Sequence, residues 1–226
     1  MTRFTGNILA LLAFVALGAL YGGAALANED RGQTWEIWAE TRFLSGKTVD
    51  FDHGSSLKTD DDVGFGLGFG YNINEHFLVG FDFSYNEMTY DATIASANTP
   101  PLASALVSGT AQLSRFGGSF TYNILERALT PYVIANLGYV YADSNIPNGP
   151  PQTGCWWDPW FGYICSTWQS TISSHALEYG VGAGLRWDSQ HSFFVRFGYE
   201  QDWIHFSNAN GTPGFGVVRL QFGTRL

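Results

Sequence analysis

From Val63 the chain reads Val-Gly-Phe-Gly-Leu-Gly-Phe-Gly-Tyr. In an extended strand this puts Val63, Phe65, Leu67, Phe69 and Tyr71 on one face and Gly64, Gly66, Gly68 and Gly70 on the other. After Asn72-Ile73-Asn74-Glu75 the pattern repeats, with Phe77, Val79, Phe81, Phe83 and Tyr85 opposite Gly80, Asp82, Ser84 and Asn86, so the two runs form a hairpin. Trp35 to Phe43, Arg115 to Tyr122, Tyr132 to Tyr141, His175 to Trp187, Phe193 to Trp203 and Gly216 to Leu226 alternate in the same way. The count comes to about eight strands, the smallest even-numbered barrel that crosses a membrane.

The connections alternate in length. Asn72 to Glu75, Asn123 to Thr130 and Asp188 to His191 are short, whereas Ser45 to Asp62, Glu87 to Thr110, Ala142 to Gln169 and His205 to Gly214 are longer. Short periplasmic turns and longer outer loops are the habit of outer-membrane barrels, and an even strand number puts both chain ends on the periplasmic side. A soluble eight-stranded barrel would also alternate, but it needs polar side chains on its outer face. Here the face opposite the aromatics is largely glycine, which suits the inside of a narrow barrel and leaves the aromatic face to lipid. The expected fold is therefore all-β, an eight-stranded antiparallel transmembrane barrel. Trp35, Tyr71, Tyr122, Tyr132, Trp187 and Phe193 fall near strand ends and are expected to form its interfacial girdles.

The N-terminus reads as an export signal. Arg3 precedes an apolar run from Ile8 to Leu20, and Ala25-Leu26-Ala27 supplies a small-x-small cleavage site before Asn28-Glu29-Asp30. This divides the chain into a signal peptide, 1–27, and a barrel, 28–226. The apolar run is shorter than the about 20 residues of a membrane helix. Export puts Cys155 and Cys165 in an oxidising compartment, where a disulfide is favoured over a metal site. Neither a metal nor a cofactor is expected. Acidic residues outnumber basic ones 20 to 11, which excludes a basic surface for nucleic acid.

Charge on the glycine face gives the interior its character. The same register turns Glu36, Glu40, Asp82, Glu178, Glu200 and Asp202 inward together with Arg42, Arg115, Arg186, Arg196, Arg219 and Arg225. An unpaired buried charge costs several kcal/mol, so these groups are expected to pair and plug the lumen, with Glu36 or Glu40 meeting Arg219 or Arg225 where the first strand closes on the last. A small pore gated by rearranged pairs is the transport alternative. The first outer loop carries Asp50, Asp52, His53, Asp60, Asp61 and Asp62, an acidic run without the spacing of a calcium loop. In the third loop Trp156, Trp157, Trp160, Phe161 and Tyr163 lie between the two cysteines. Held by a disulfide, they either form a recognition knob for a protein or glycan or fold back over the barrel mouth or into lipid headgroups.

The runs Gly66-Leu67-Gly68-Phe69-Gly70-Tyr71-Asn72-Ile73-Asn74, Leu129-Thr130-Pro131-Tyr132-Val133 and Gly180-Val181-Gly182-Ala183-Gly184-Leu185-Arg186 resemble the OmpA/OmpX-like outer-membrane β-barrels, the opacity-type and "porin family" surface proteins. That resemblance implies a fold and an outer-membrane location, but no reaction. A second resemblance concerns His205-Phe206-Ser207-Asn208, which is similar to the His-x-Ser-Asn motif of the outer-membrane lipid A deacylases. It implies His205 as base and Ser207 as nucleophile. Those enzymes orient the histidine with an acid on the last strand, and no Asp or Glu follows Asp202 here. The expectation is a non-enzymatic, monomeric surface protein in contact with outer-membrane lipid and lipopolysaccharide, with a surface protein or glycan as candidate ligand. A lipid A deacylase-like hydrolase and a small gated pore are the alternatives.

Overall fold

The computed structural model describes residues 30–50, 55–95, 104–147, 150–189, 191–206 and 211–226. The export signal with its cleavage site, Asp52, His53, Ser207 and Asn208 lie outside the described residues. Twelve strands are described: β1 (Trp35–Leu44), β2 (Thr48–Asp50), β3 (Ser56–Thr59), β4 (Asp62–Asn72), β5 (Phe77–Ala95), β6 (Ser104–Asn123), β7 (Leu129–Pro147), β8 (Gln152–Asp158), β9 (Gly162–Trp168), β10 (Thr171–Asp188), β11 (Phe193–His205) and β12 (Gly214–Arg225).

Eight of these, β1, β4, β5, β6, β7, β10, β11 and β12, form a closed antiparallel barrel. Closure is made by β1 on β12, in register from Glu36 opposite Arg225 to Leu44 opposite Val217. The short turns β4–β5, β6–β7 and β10–β11 and both described chain ends share one rim, and the longer connections share the other. Phe65, Leu67, Phe69, Phe81, Phe83, Phe116, Leu137 and Val181 are exposed on the outer face, where lipid lies.

Two features of the outer half depart from the sequence reading. The β5–β6 ladder runs on to Ala95 opposite Ser104, and β7 and β10 extend to Pro147 and Thr171, well beyond the about 10 residues a tilted span needs. Past the hydrocarbon the backbone still satisfies its N–H and C=O groups by pairing, while Ser, Thr, Asn and Asp replace the aromatics, so the apolar alternation fades though the strand continues. Two further hairpins sit inside long loops. β2–β3 joins the barrel sheet because β3 pairs with the outer part of β5, and β8–β9 pairs only with itself.

The interior is layered along the barrel axis. The half nearest the short turns is filled with charge, whereas Leu44, Val49, Met88, Val140, Ala176, Ile204, Phe215 and Val217 make an apolar layer at the outer end. Val49 comes from β2, so the first outer loop folds into the mouth and covers it.

Candidate functional site

Among the described residues the buried charges are six arginines, Arg31, Arg42, Arg115, Arg186, Arg196 and Arg219, and seven carboxylates, Glu36, Glu40, Asp82, Glu178, Asp188, Glu200 and Asp202. They fall into two linked clusters. Near the short turns, Glu36 accepts from Arg186 (2.6 Å), Arg196 and Asn72 (2.7 Å), Arg186 also pairs with Asp188 (2.7 Å), and Arg31 holds Asp188 from below (2.8 Å). The guanidinium groups of Arg186 and Arg196 lie 4.6 and 4.5 Å from the Phe194 ring centroid, and Arg196 also covers Trp38 at 5.0 Å. Further out, Arg42 bonds Asp202 at 2.8 Å, Arg115 bonds Asp82 and Glu178 (2.6 Å to the latter), and Arg219 reaches Glu200 at 3.1 Å and Glu40 at 3.6 Å. Gln221 donates to Glu40 at 2.8 Å, and Asn136 donates to Glu200 at 2.9 Å and Asp202 at 3.2 Å.

Six barrel strands contribute to the outer cluster through Arg42, Asp82, Arg115, Glu178, Asp202 and Arg219, so its pairs cross the lumen rather than run along one wall. Glycine makes this possible. A Cβ on Gly68 would meet the Trp38 indole, and one on Gly184 or Gly198 would meet the Tyr132 ring or hydroxyl. Tyr132 is thus a correction: it is 2 % exposed and fills the lumen, whereas the sequence placed it in a girdle. Its parity with Thr130, Ile134 and Asn136 is inward, and the bare backbones of β10 and β11 leave a slot for the ring. Trp35, Trp187 and Phe193 stand exposed at the short-turn rim, and Tyr71 packs on Trp35 at 5.1 Å. Arg225 is half-buried at that same rim, where it donates to the carbonyl oxygens of Asp30 (3.2 Å) and Ser189 (3.4 Å).

Sequence reasoning missed several members of this interior. Trp38 shares parity with Glu36 and Glu40, and Asp188 shares it with Arg186, so the alternation itself carried that signal. Arg31 gave none, because it precedes the first strand. It is fully buried and donates to the carbonyl oxygens of Leu125 (3.1 Å), Glu75 (3.4 Å) and Arg127, which ties two short turns to the floor of the barrel.

On the outer side, the acidic residues of the first loop serve as local acceptors. Asp60 accepts from the Thr89 hydroxyl (2.9 Å), Asp61 from the Gly46 N–H (2.7 Å) and Asp62 from Asn86 (2.8 Å). Asp50 is exposed on β2. Among the described residues no group of three or more His, Cys, Asp or Glu side chains is arranged to hold a metal. His205 is exposed on the outward face, with Nδ1 3.3 Å from the Thr212 hydroxyl, and Asp202 points the other way onto Arg42.

The β8–β9 hairpin differs from everything below it. Cys155 and Cys165 face each other across its ladder and are joined by a disulfide. At its tip the Asp158 carboxylate accepts the N–H groups of Trp160 (2.8 Å) and Phe161 (3.0 Å), and Gly162 takes φ +77°, a conformation that side-chain-bearing residues adopt at a cost. The turn is well tied, yet its side chains have no cover: Trp157, Trp160, Phe161 and Tyr163 are 72, 89, 80 and 69 % exposed, and Trp156 is 45 % exposed.

No curated protein matches the chain. Solved structures similar to it include the attachment invasion locus protein Ail of Yersinia pestis, determined in complex with the heparin analogue sucrose octasulfate, at 17 % identity and TM-score 0.48, covering 86 % of this chain and 99 % of Ail. The outer-membrane protein OprG of Pseudomonas aeruginosa aligns at 12 % identity and TM-score 0.48 over 88 % of this chain and 98 % of OprG. Neisserial surface protein A aligns at 16 % identity and TM-score 0.46 over 85 % and 96 % of the two chains. The model of the outer membrane protein beta-barrel domain matches residues 9–225, which is nearly the whole chain. With its closed eight-stranded wall, lipid-facing aromatics and charge-filled interior, the chain belongs to the outer membrane protein beta-barrel family of bacterial outer-membrane proteins.

Proposed function

We propose that this protein is a surface-display barrel: a closed, non-catalytic, monomeric scaffold that holds its outer loops for envelope structure or for contact with a protein or glycan. Residues 1–27 direct export and are removed after Ala27, and the mature wall sits among outer-membrane lipid and lipopolysaccharide. The observation that carries the reading is the stapled β8–β9 hairpin, whose aromatic side chains stand exposed on a turn fixed by a disulfide and by Asp158. Exposed clustered aromatics offer large contact area at low conformational cost, and fixing the turn beforehand removes the ordering penalty of binding. The charged plug supports a static role, because every opening of the lumen would separate buried pairs.

The test is adhesion of cells expressing the wild type or Trp157→Ala/Trp160→Ala to a panel of immobilised glycans and extracellular proteins, after both variants are shown to reach the outer membrane. Wild-type adhesion to one class of target that the double variant loses is the expected result, and equal adhesion by both would remove the hairpin from the account. Two measurements test the alternatives. A pore would give current steps in planar bilayers that change in Arg219→Ala. A lipid A deacylase would shorten lipid A, by mass spectrometry, in a Ser207-dependent way.

A further inference from the structure

The apolar layer at the outer end of the barrel is not fully packed. A cavity of about 280 Å³ lies within it, walled by Leu44 of β1, Met88 of β5, Leu113 of β6, Ile204 of β11, Phe206 just after it and Phe215 of β12. Val49, Leu57 and Thr59 of the β2–β3 hairpin close one side. Its lining is mostly apolar, with Thr59, Tyr90, Asp143, Ser144, Ser173 and Ser174 supplying a few polar groups, and a space of that character suits a mostly apolar occupant with few polar atoms. Benzene fits an apolar cavity of about 150 Å³, and drug-sized ligands begin at about 300 Å³.

The polar groups around the cavity narrow the choice. Asp143, Ser144, Ser173 and Ser174 lie together where β7 meets β10, and the Tyr90 and Ser144 hydroxyls are hydrogen-bonded to each other. Beneath the cavity, across Leu44, Leu113, Ile204 and Phe215, lies the charged cluster with Glu178, Asp202, Arg42 and Arg115, and the gap there is only about 20 Å³. The floor is therefore shut, and a molecule enters and leaves by the outer side. Asp143 already accepts from the Thr171 hydroxyl at 2.5 Å; a carboxylate end would be repelled by it at the rim, whereas a hydroxyl can donate to it as Thr171 does. We propose that the barrel mouth is a binding site for a neutral, mostly apolar molecule of about eight carbon atoms with a single hydroxyl at one end. The chain thus holds such a ligand at the outer face rather than passing it through the lumen.

Met88 supplies the probe. It is one of only two methionines, the other being Met1, and it is buried in the cavity wall. In protein labelled with ¹³C-methyl methionine and placed in lipid nanodiscs, 1-octanol is expected to shift the Met88 methyl resonance saturably. Ala142 of β7 also lines the cavity, so Ala142→Phe puts a ring into it and should weaken that binding at least tenfold, with folding checked by the heat-dependent gel mobility of barrels. As a control that needs no variant, the wild type is also titrated with 1-hexadecanol, which enters lipid at least as strongly but exceeds the cavity, and it should leave Met88 unmoved. Octanoate should bind at least tenfold more weakly than octanol. An unsaturable octanol shift, equal shifts with hexadecanol, or undiminished binding in a folded Ala142→Phe protein would each overturn the proposal.

Discussion

Trp38 and Trp160 are the same residue type placed under opposite conditions. Trp38 is 4 % exposed, seated against Gly68 inside the barrel and covered by the Arg196 guanidinium, whereas Trp160 is 89 % exposed at the tip of the β8–β9 hairpin. In the lower interior each large side chain meets a partner contributed by another strand. In the hairpin, order comes from the backbone, a disulfide and one aspartate, and the large side chains are left uncovered. The difference separates the groups that make the barrel from those it holds out. A side chain that sits on a fixed turn without burying itself contributes little to folding, which is the ground for the proposal that it makes contact outside the chain.

The comparison breaks most easily in the interior. Arg186→Ala leaves Glu36 and Asp188 without their shared partner, and removing one member of a buried pair costs about 3–5 kcal/mol, to be read as a lower urea midpoint for the folded barrel in lipid. The disulfide comes next. Replacing both cysteines by serine should cost the hairpin about 3 kcal/mol of loop-closure stabilisation and open the 152–168 segment to protease, while the barrel midpoint stays in place because β8 and β9 pair only with each other. Gly68→Val presses a branched side chain against Trp38 and should destabilise by about 1–3 kcal/mol, as overpacking does. Trp160→Ala should change barrel stability by less than about 0.5 kcal/mol, since it removes no buried contact, while reducing surface adhesion.

Much of the barrel was legible because a closed sheet between lipid and a narrow lumen imposes period two on every strand. Val63 to Tyr71 could have only one arrangement once its aromatic and glycine faces were recognised, and the same parity turned Glu40 toward Arg219, found 3.6 Å apart across the closing strands. What escaped was set by volume and by segments without a period. Tyr132 reads as an interfacial aromatic until Gly184 and Gly198 are known to lie across the lumen from it. Arg31 belongs to no strand, and its partners, in two turns and at the end of β10, lie 44 to 157 residues away. The β2–β3 hairpin that folds into the mouth is too short, at three and four residues, for its alternation to register, and the outer ends of β5, β6, β7 and β10 alternate less clearly because their outward face turns polar.

The most direct test labels tryptophans by hydroxyl-radical oxidation on intact cells, with the modified peptides read by mass spectrometry. A closed, plugged barrel that presents the stapled hairpin outward predicts rapid oxidation at Trp157 and Trp160 and protection of Trp38 until the barrel is denatured. Oxidation of Trp38 at a comparable rate would mean an open, water-filled lumen, and protection of Trp160 would mean that the hairpin is covered; either result would contradict the account.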